Sequence, residues 1–205
     1  MEELKEKWNS LMKSFAIEDS QDTFDKLCKA YNEPHRHYHT VSHIRAMLTH
    51  FEKVKDGMDH CNEVECAIWF HDAIYKPFSS SNELDSAEWA KGFLLDNNCK
   101  SEVIDRIYAL IMVTQHNGEP RDRDQEYMLD IDLTILGTPD SVYEEFEKNV
   151  RKEYKWVPAI IYNKKRREIL HSFLNRNTIY FSEYFNNRFE DQARKNITKA
   201  IDQLK

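Results

Sequence analysis

The stretch Ala67-Ile68-Trp69-Phe70-His71-Asp72-Ala73-Ile74-Tyr75 decides how this chain is read. An apolar run ends on an imidazole beside a carboxylate. Burying such a pair is costly unless something binds it, and a divalent cation is the commonest partner. Upstream stand His39 and His43, in Tyr38-His39-Thr40-Val41-Ser42-His43-Ile44; downstream stand Asp130 and Asp132, in Leu129-Asp130-Ile131-Asp132-Leu133. His39 and His43 are four apart, so on a helix they share a face. His71 and Asp72 are neighbours, and adjacent helical side chains diverge by about 100°. Both therefore reach one metal only where a helix end presents them. Asp130 and Asp132 point nearly opposite ways on a helix, which makes them alternatives for one role. Two imidazoles and two carboxylates suit Mn, Fe, Co, Ni, Zn or Mg, one or two ions per chain.

The apolar spacing is helical nearly throughout. Leu4, Trp8, Leu11 and Phe15 form one stripe; Phe24, Leu27, Cys28 and Tyr31 form a second. A third helix is expected over about 40–54, and a fourth over about 62–74, carrying His71-Asp72. Ser80 and Glu83 have the spacing of a capping box, which predicts a fifth helix from there to about 97. Ser101 is expected to cap a sixth, ending near His116. A seventh covers about 124–136, an eighth opens at Thr138-Pro139, a ninth runs from Pro158 to about 174, and a last spans about 189–204. All five prolines fall between these segments. The expectation is an all-α fold: a single domain over 1–205, with a metal-site core over about 30–140 and a C-terminal helical extension over about 139–205.

Composition removes several classes of function. With only four glycines, the chain holds no Gly-rich phosphate loop, and no P-loop or Rossmann pattern occurs. The net charge of −7 argues against nucleic acid as partner. No apolar run approaches the roughly 18 residues that span a bilayer, and the charged start, Met1-Glu2-Glu3-Leu4-Lys5, has no signal-peptide core. Cys28, Cys61, Cys66 and Cys99 form no C-x-x-C pair and read as free thiols. These features predict a cytoplasmic protein with no membrane or nucleic-acid partner. A small anionic substrate stays open, because a metal can reverse the local potential of an acidic protein, and so does a homo-oligomer.

The order His, His-Asp, Asp resembles the signature of the HD superfamily of metal-dependent phosphohydrolases. Tyr38-His39-x-x-x-His43 looks like the Y-H-N-x-x-H segment of cyclic-nucleotide phosphodiesterases, members of that superfamily, with Thr40 in place of the Asn. Asp132-Leu133-Thr134 is similar to their D-L-S segment. A branch of uncharacterised HD phosphohydrolases is closer still. Its R-x-Y-H-x-x-x-H-I, F-H-D-x-x-Y, N-E-x-x-S-A and D-x-D-L-x-I-L-G elements read here as Arg36 to Ile44, Phe70 to Tyr75, Asn82 to Ala87 and Asp130 to Gly137. The resemblance covers about residues 30–140. The H-D-G-Y-P elements of cyclic-di-GMP hydrolases are absent.

The resemblance implies an HD-type helical bundle that hydrolyses a phosphoester of a small metabolite, a nucleotide being the first candidate. It implies metal ligation by His43, His71, Asp72 and Asp132, with Asp130 the alternative to Asp132, and proton donation by His39 to the leaving oxygen. Three further residues are expected to act in the same site. Arg36 is placed to grip a phosphate oxygen. His116 is placed to ligate a second metal or touch the phosphate, and Glu83 to accept a hydrogen bond from metal-bound water. The rival readings are an iron-dependent oxygenase on the same fold and a non-catalytic metal- or nucleotide-binding module. His35 and His37 are expected to be exposed.

Overall fold

The computed structural model describes residues 1–204, and they form an all-α protein with no strand among them. The helices are α1 (Glu2–Ser14), α2 (Gln21–Ala30), α3 (Val41–Phe51), α4 (Cys61–Phe70), α5 (Asn82–Asp96), α6 (Ser101–Met112), α7 (Arg123–Asp132), α8 (Asp140–Glu153), α9 (Ala159–Leu174) and α10 (Glu183–Gln203). Short 3-10 turns cover Lys55–Gly57, Val113–Gln115 and Leu133–Gly137. None of these helices is long and apolar enough to cross a membrane. The chain divides into two compact units, Met1–Met128 and Leu129–Lys205.

The first unit is built around α4. Val64, Cys66, Ala67, Ile68, Trp69 and Phe70 are all buried, which leaves this helix almost no solvated face. A helix apolar all round must be surrounded, and α1, α3, α5 and α6 pack against it. Trp8 of α1 meets Trp69 edge-on at 5.5 Å and lies 5.9 Å from Phe93, while its indole donates to Ser20 Oγ at 3.0 Å. Glu63, buried on α4, takes a bidentate pair of 2.7 Å bonds from Arg106 of α6. The carboxylate of Asp124 accepts from the Asp59 and His60 amides at 2.8 and 2.9 Å, satisfying donors at the start of α4 that would otherwise be orphaned.

The second unit rests on α10, which packs on α9 and on the turn Leu133–Gly137. The carbonyls of that turn are used in full view of α10 and its approach: Tyr180 donates to Leu133 O at 2.9 Å and Asn196 to Leu136 O at 2.8 Å. Gly137 is required by proximity, because a Cβ there would lie 2.6 Å from Phe189 Cβ and 2.7 Å from the Phe189 carbonyl oxygen.

Several local expectations shift. Helix α5 begins at Asn82 behind Ser81, with no side-chain cap, so the Ser80–Glu83 capping box does not form. Ser101 is the first residue of α6 rather than its cap, which is Lys100. Helix α10 starts at Glu183, six residues before the expected Phe189, because the Asp130 carboxylate takes the amides of Phe181 and Ser182 and the Ser182 hydroxyl, at 2.8, 2.8 and 2.6 Å.

Candidate metal centre

Helix α4 ends at Phe70, and His71 is its C-cap. The termination lets two sequence neighbours present their side chains together: His71 Nε2 lies 3.1 Å from Asp72 Oδ2. Helix α3 supplies the third group. Thr40 caps its start, its hydroxyl accepting from the Ser42 amide at 3.3 Å, and His43 stands in the first turn. His43 Nε2 lies 3.3 Å from His71 Nε2 and 3.9 Å from Asp72 Oδ2. Three ligand-type atoms thus converge within 3.9 Å, and both histidines are buried.

The donor chemistry fits a divalent cation. His71 Nδ1 is 3.0 Å from the Ile68 carbonyl oxygen. A carbonyl only accepts, so Nδ1 carries a proton, and Nε2 is the ring atom that faces the cluster. This is the outer hydrogen bond that orients metal-ligating imidazoles. Burial alone would push the Asp72 carboxyl up. The imidazoles of His71, His39 and His43 outweigh that and hold it well below the usual carboxylate range, so it is ionised at neutral pH. His43, His71 and Asp72 could therefore hold a metal ion.

His39 is half-buried and stacks on the Tyr75 ring at 4.3 Å, with its own ring 6.1 Å from that of His43. Tyr75 belongs to the quoted stretch, but its spacing gave no hint of a role as platform. His35, expected to be exposed, has Nε2 2.8 Å from the Tyr75 carbonyl oxygen, whereas His37 is exposed.

Arg36 does not present its guanidinium to a ligand. Its side chain is fully buried and donates to Glu33 at 3.0 Å, to the carbonyls of His39 and Asp72 at 3.3 and 2.6 Å, and to that of Ala73 at 3.0 Å. The tyrosine rings of Tyr31 and Tyr75 flank it at 5.2 and 5.4 Å. With the fork spent on backbone oxygens, its work is to tie the His39 segment to the His71-Asp72 segment. The phosphate-gripping role expected of it is corrected accordingly.

The segment Asn82 to Ala87 pins the chain that follows His71-Asp72. Asn82 bonds the Lys76 amide and carbonyl at 3.0 and 3.1 Å, and Ser86 Oγ accepts from the Ile74 amide at 3.0 Å. Ala87 and Ala90 are fully buried, letting α5 approach closely. Glu83 lies in the same first turn. Burial, with the Asp72 charge adding to it, raises its carboxyl above the ordinary range against the pull of its own backbone amide, His116 and His71. His116 follows the turn Val113–Gln115 in the left-handed region, at φ 54°. Glu83 and His116 thus belong to the electrostatic surroundings of His71 and Asp72.

In the second unit the two candidate carboxylates separate by role. Asp130 is fully buried and engaged at the start of α10 by the three bonds described above. Asp132, at the end of α7, is half-buried. No family model, no curated protein and no solved structure matches this chain.

Proposed function

We propose that this protein is an HD-type divalent-metal phosphohydrolase acting on a phosphoester of a small metabolite, a nucleotide first among candidates. The observation that carries the proposal is the convergence of His43 Nε2, His71 Nε2 and Asp72 Oδ2, with the outer bond from His71 Nδ1 to Ile68 O. His43, His71 and Asp132 each offer a ligand atom of the kind such a cation takes, and with Asp72 they make the proposed ligand set. Asp132 is preferred because Asp130 is consumed in holding α10. When bound, the cation supplies Lewis acidity, activating water and neutralising charge on the phosphoryl oxygens.

The chain's own residues do the rest. His39, protonated, donates to the leaving oxygen, and its stack on Tyr75 fixes the ring plane along which that proton travels. Arg36 positions the backbone on both sides of the site. Glu83 stands where it feels the charge of Asp72, and its raised carboxyl favours holding a proton there.

The test is phosphate release from a panel of nucleotides and sugar phosphates with Mn²⁺, comparing wild type with Asp72→Ala. Release that depends on Asp72 supports the reading and names the substrate class. Silence across the panel from protein that binds the metal overturns the hydrolase.

A further inference from the structure

The junction between α8 and α9 displays large apolar side chains that no part of the protein covers. Trp156 is 75% exposed, Ile160 86% and Ile161 55%. Three such residues within six positions form a contiguous apolar tip rather than scattered surface side chains. The tip is held rigid from below. Arg151 donates to the carbonyls of Tyr154 and Val157 at 2.5 and 3.0 Å, and its guanidinium sits 4.7 Å from the Tyr162 ring centre. Glu147 and Arg166 join α8 to α9 through bonds of 2.7 and 3.1 Å. A preorganised surface loses little entropy on binding.

The charge around the tip is opposite to that of the molecule. Positions 148–167 hold eight basic residues and one acidic, Glu153, in a chain of net charge −7. Arg151 and Arg166 are used internally, and Lys165 pairs with Glu168 at 2.9 Å. Lys155 and Arg167 make no ion pair among the described residues, and Lys164 shares Glu168 with Lys165; Lys155 lies over the Trp156 ring at 5.0 Å. Beside the tip, Ile160, Lys164, Arg167 and His171 recur at helical spacing along one face of α9, lining with Glu168 and Leu204 a groove of about 620 Å³ in which the basic residues outnumber the single acid.

We propose that this face docks an acidic amphipathic segment of a partner protein, its apolar side chains on Trp156 and Ile160 and its carboxylates on Lys164 and Arg167. Three features select that occupant. The isoleucines offer nothing to a phosphate backbone, which disfavours nucleic acid. The groove is concave, and a flat bilayer surface cannot fill it. A second copy presenting the same face would bring lysines against lysines. An amphipathic helix laid in a groove satisfies both the apolar and the charged requirement. The inference is independent of the metal centre.

The test uses the full chain and a fluorescein-labelled synthetic peptide of Leu and Glu patterned as an amphipathic helix, about 18 residues long, or five turns. The controls are its scrambled isomer, phosphatidylserine vesicles and a single-stranded oligonucleotide. The patterned peptide is expected to bind at least about tenfold tighter than the scrambled one, with a blue shift in tryptophan emission. Trp156→Ser/Ile160→Ser and, separately, Lys164→Glu/Arg167→Glu are each expected to abolish that preference. Both pairs replace exposed residues, so their unfolding transitions should match wild type. Equal binding of the scrambled peptide, or insensitivity to both variants, overturns the proposal. So does binding of vesicles or oligonucleotide without the patterned peptide, or a concentration-dependent self-association that these variants abolish.

Discussion

Arg36 donates a 2.6 Å hydrogen bond to the main-chain carbonyl of Asp72 while also holding the carbonyl of His39. One buried cation thus sets the distance between the proposed proton donor and a proposed ligand. Removing it strands several buried carbonyls, each costing about 1–3 kcal/mol. Arg36→Ala is expected to destabilise the protein by about 3 kcal/mol, read as a lower urea midpoint. Arg36→Lys should recover only part, since a point ammonium cannot reproduce the planar fork. A wild-type midpoint in Arg36→Ala would refute the positioning role.

Asp72 and His39 separate binding from turnover. Asp72→Ala should lose Mn²⁺ affinity by at least about tenfold by calorimetry. His39→Ala should keep wild-type affinity and lose phosphate release. Loss of metal in the His39 variant would make that residue a ligand and remove the proton-donor assignment.

The two carboxylates of the Asp-x-Asp motif should fail in different ways. Asp130→Ala removes the acceptor for two amides and a hydroxyl at the start of α10, and is expected to cost about 2 kcal/mol while metal content is retained. Asp132→Ala should show the reverse: thermal stability close to wild type without metal, and metal content reduced. Metal content and melting temperature measured on both variants decide the matter.

Gly137→Ala tests the close approach of the Leu133–Gly137 turn to α10. The added methyl meets Phe189 Cβ and the Phe189 carbonyl at 2.6 and 2.7 Å, and a carbonyl on α10 cannot swing aside as a flexible side chain would. A loss of about 1–3 kcal/mol is expected in chemical denaturation.

Glu65 should make stability fall with rising pH. Burial, with Glu52 adding to it, pushes its carboxyl from 4.5 up to about 7. The native state therefore keeps this proton where the unfolded chain releases it. The favourable contribution is complete below pH 4.5 and declines between there and about 7. Glu65→Gln should match wild type near pH 4.5 and exceed it at pH 8. A pH-independent difference in urea midpoints would sink this account.

Periodicity carried the helices, because a 3.6-residue stripe needs only the identity of each residue and its neighbours. The grouping of His43 with His71 and Asp72 rested instead on the resemblance of their order to a known signature, since four-residue spacing relates His43 only to His39. Neither could carry Arg36. A charged residue three positions before a histidine reads as a ligand-gripping group, and only the fold shows its fork turned onto the carbonyls of residues 39, 72 and 73. The start of α10 was missed for a related reason: its donors are satisfied by Asp130, some fifty residues earlier. Tyr75 was visible as part of a pattern, but stacking on His39 is a tertiary fact.

The donors of the first unit all precede position 73, whereas the Asp-x-Asp carboxylates come some sixty residues later. Synthesis at about 5–20 residues per second leaves roughly 3–12 s between the emergence of the two groups from the ribosome. Throughout that interval the nascent chain carries two imidazoles and a carboxylate without either later acid. On the proposed ligand set, the cation taken up first would depend on what the cell supplies during translation.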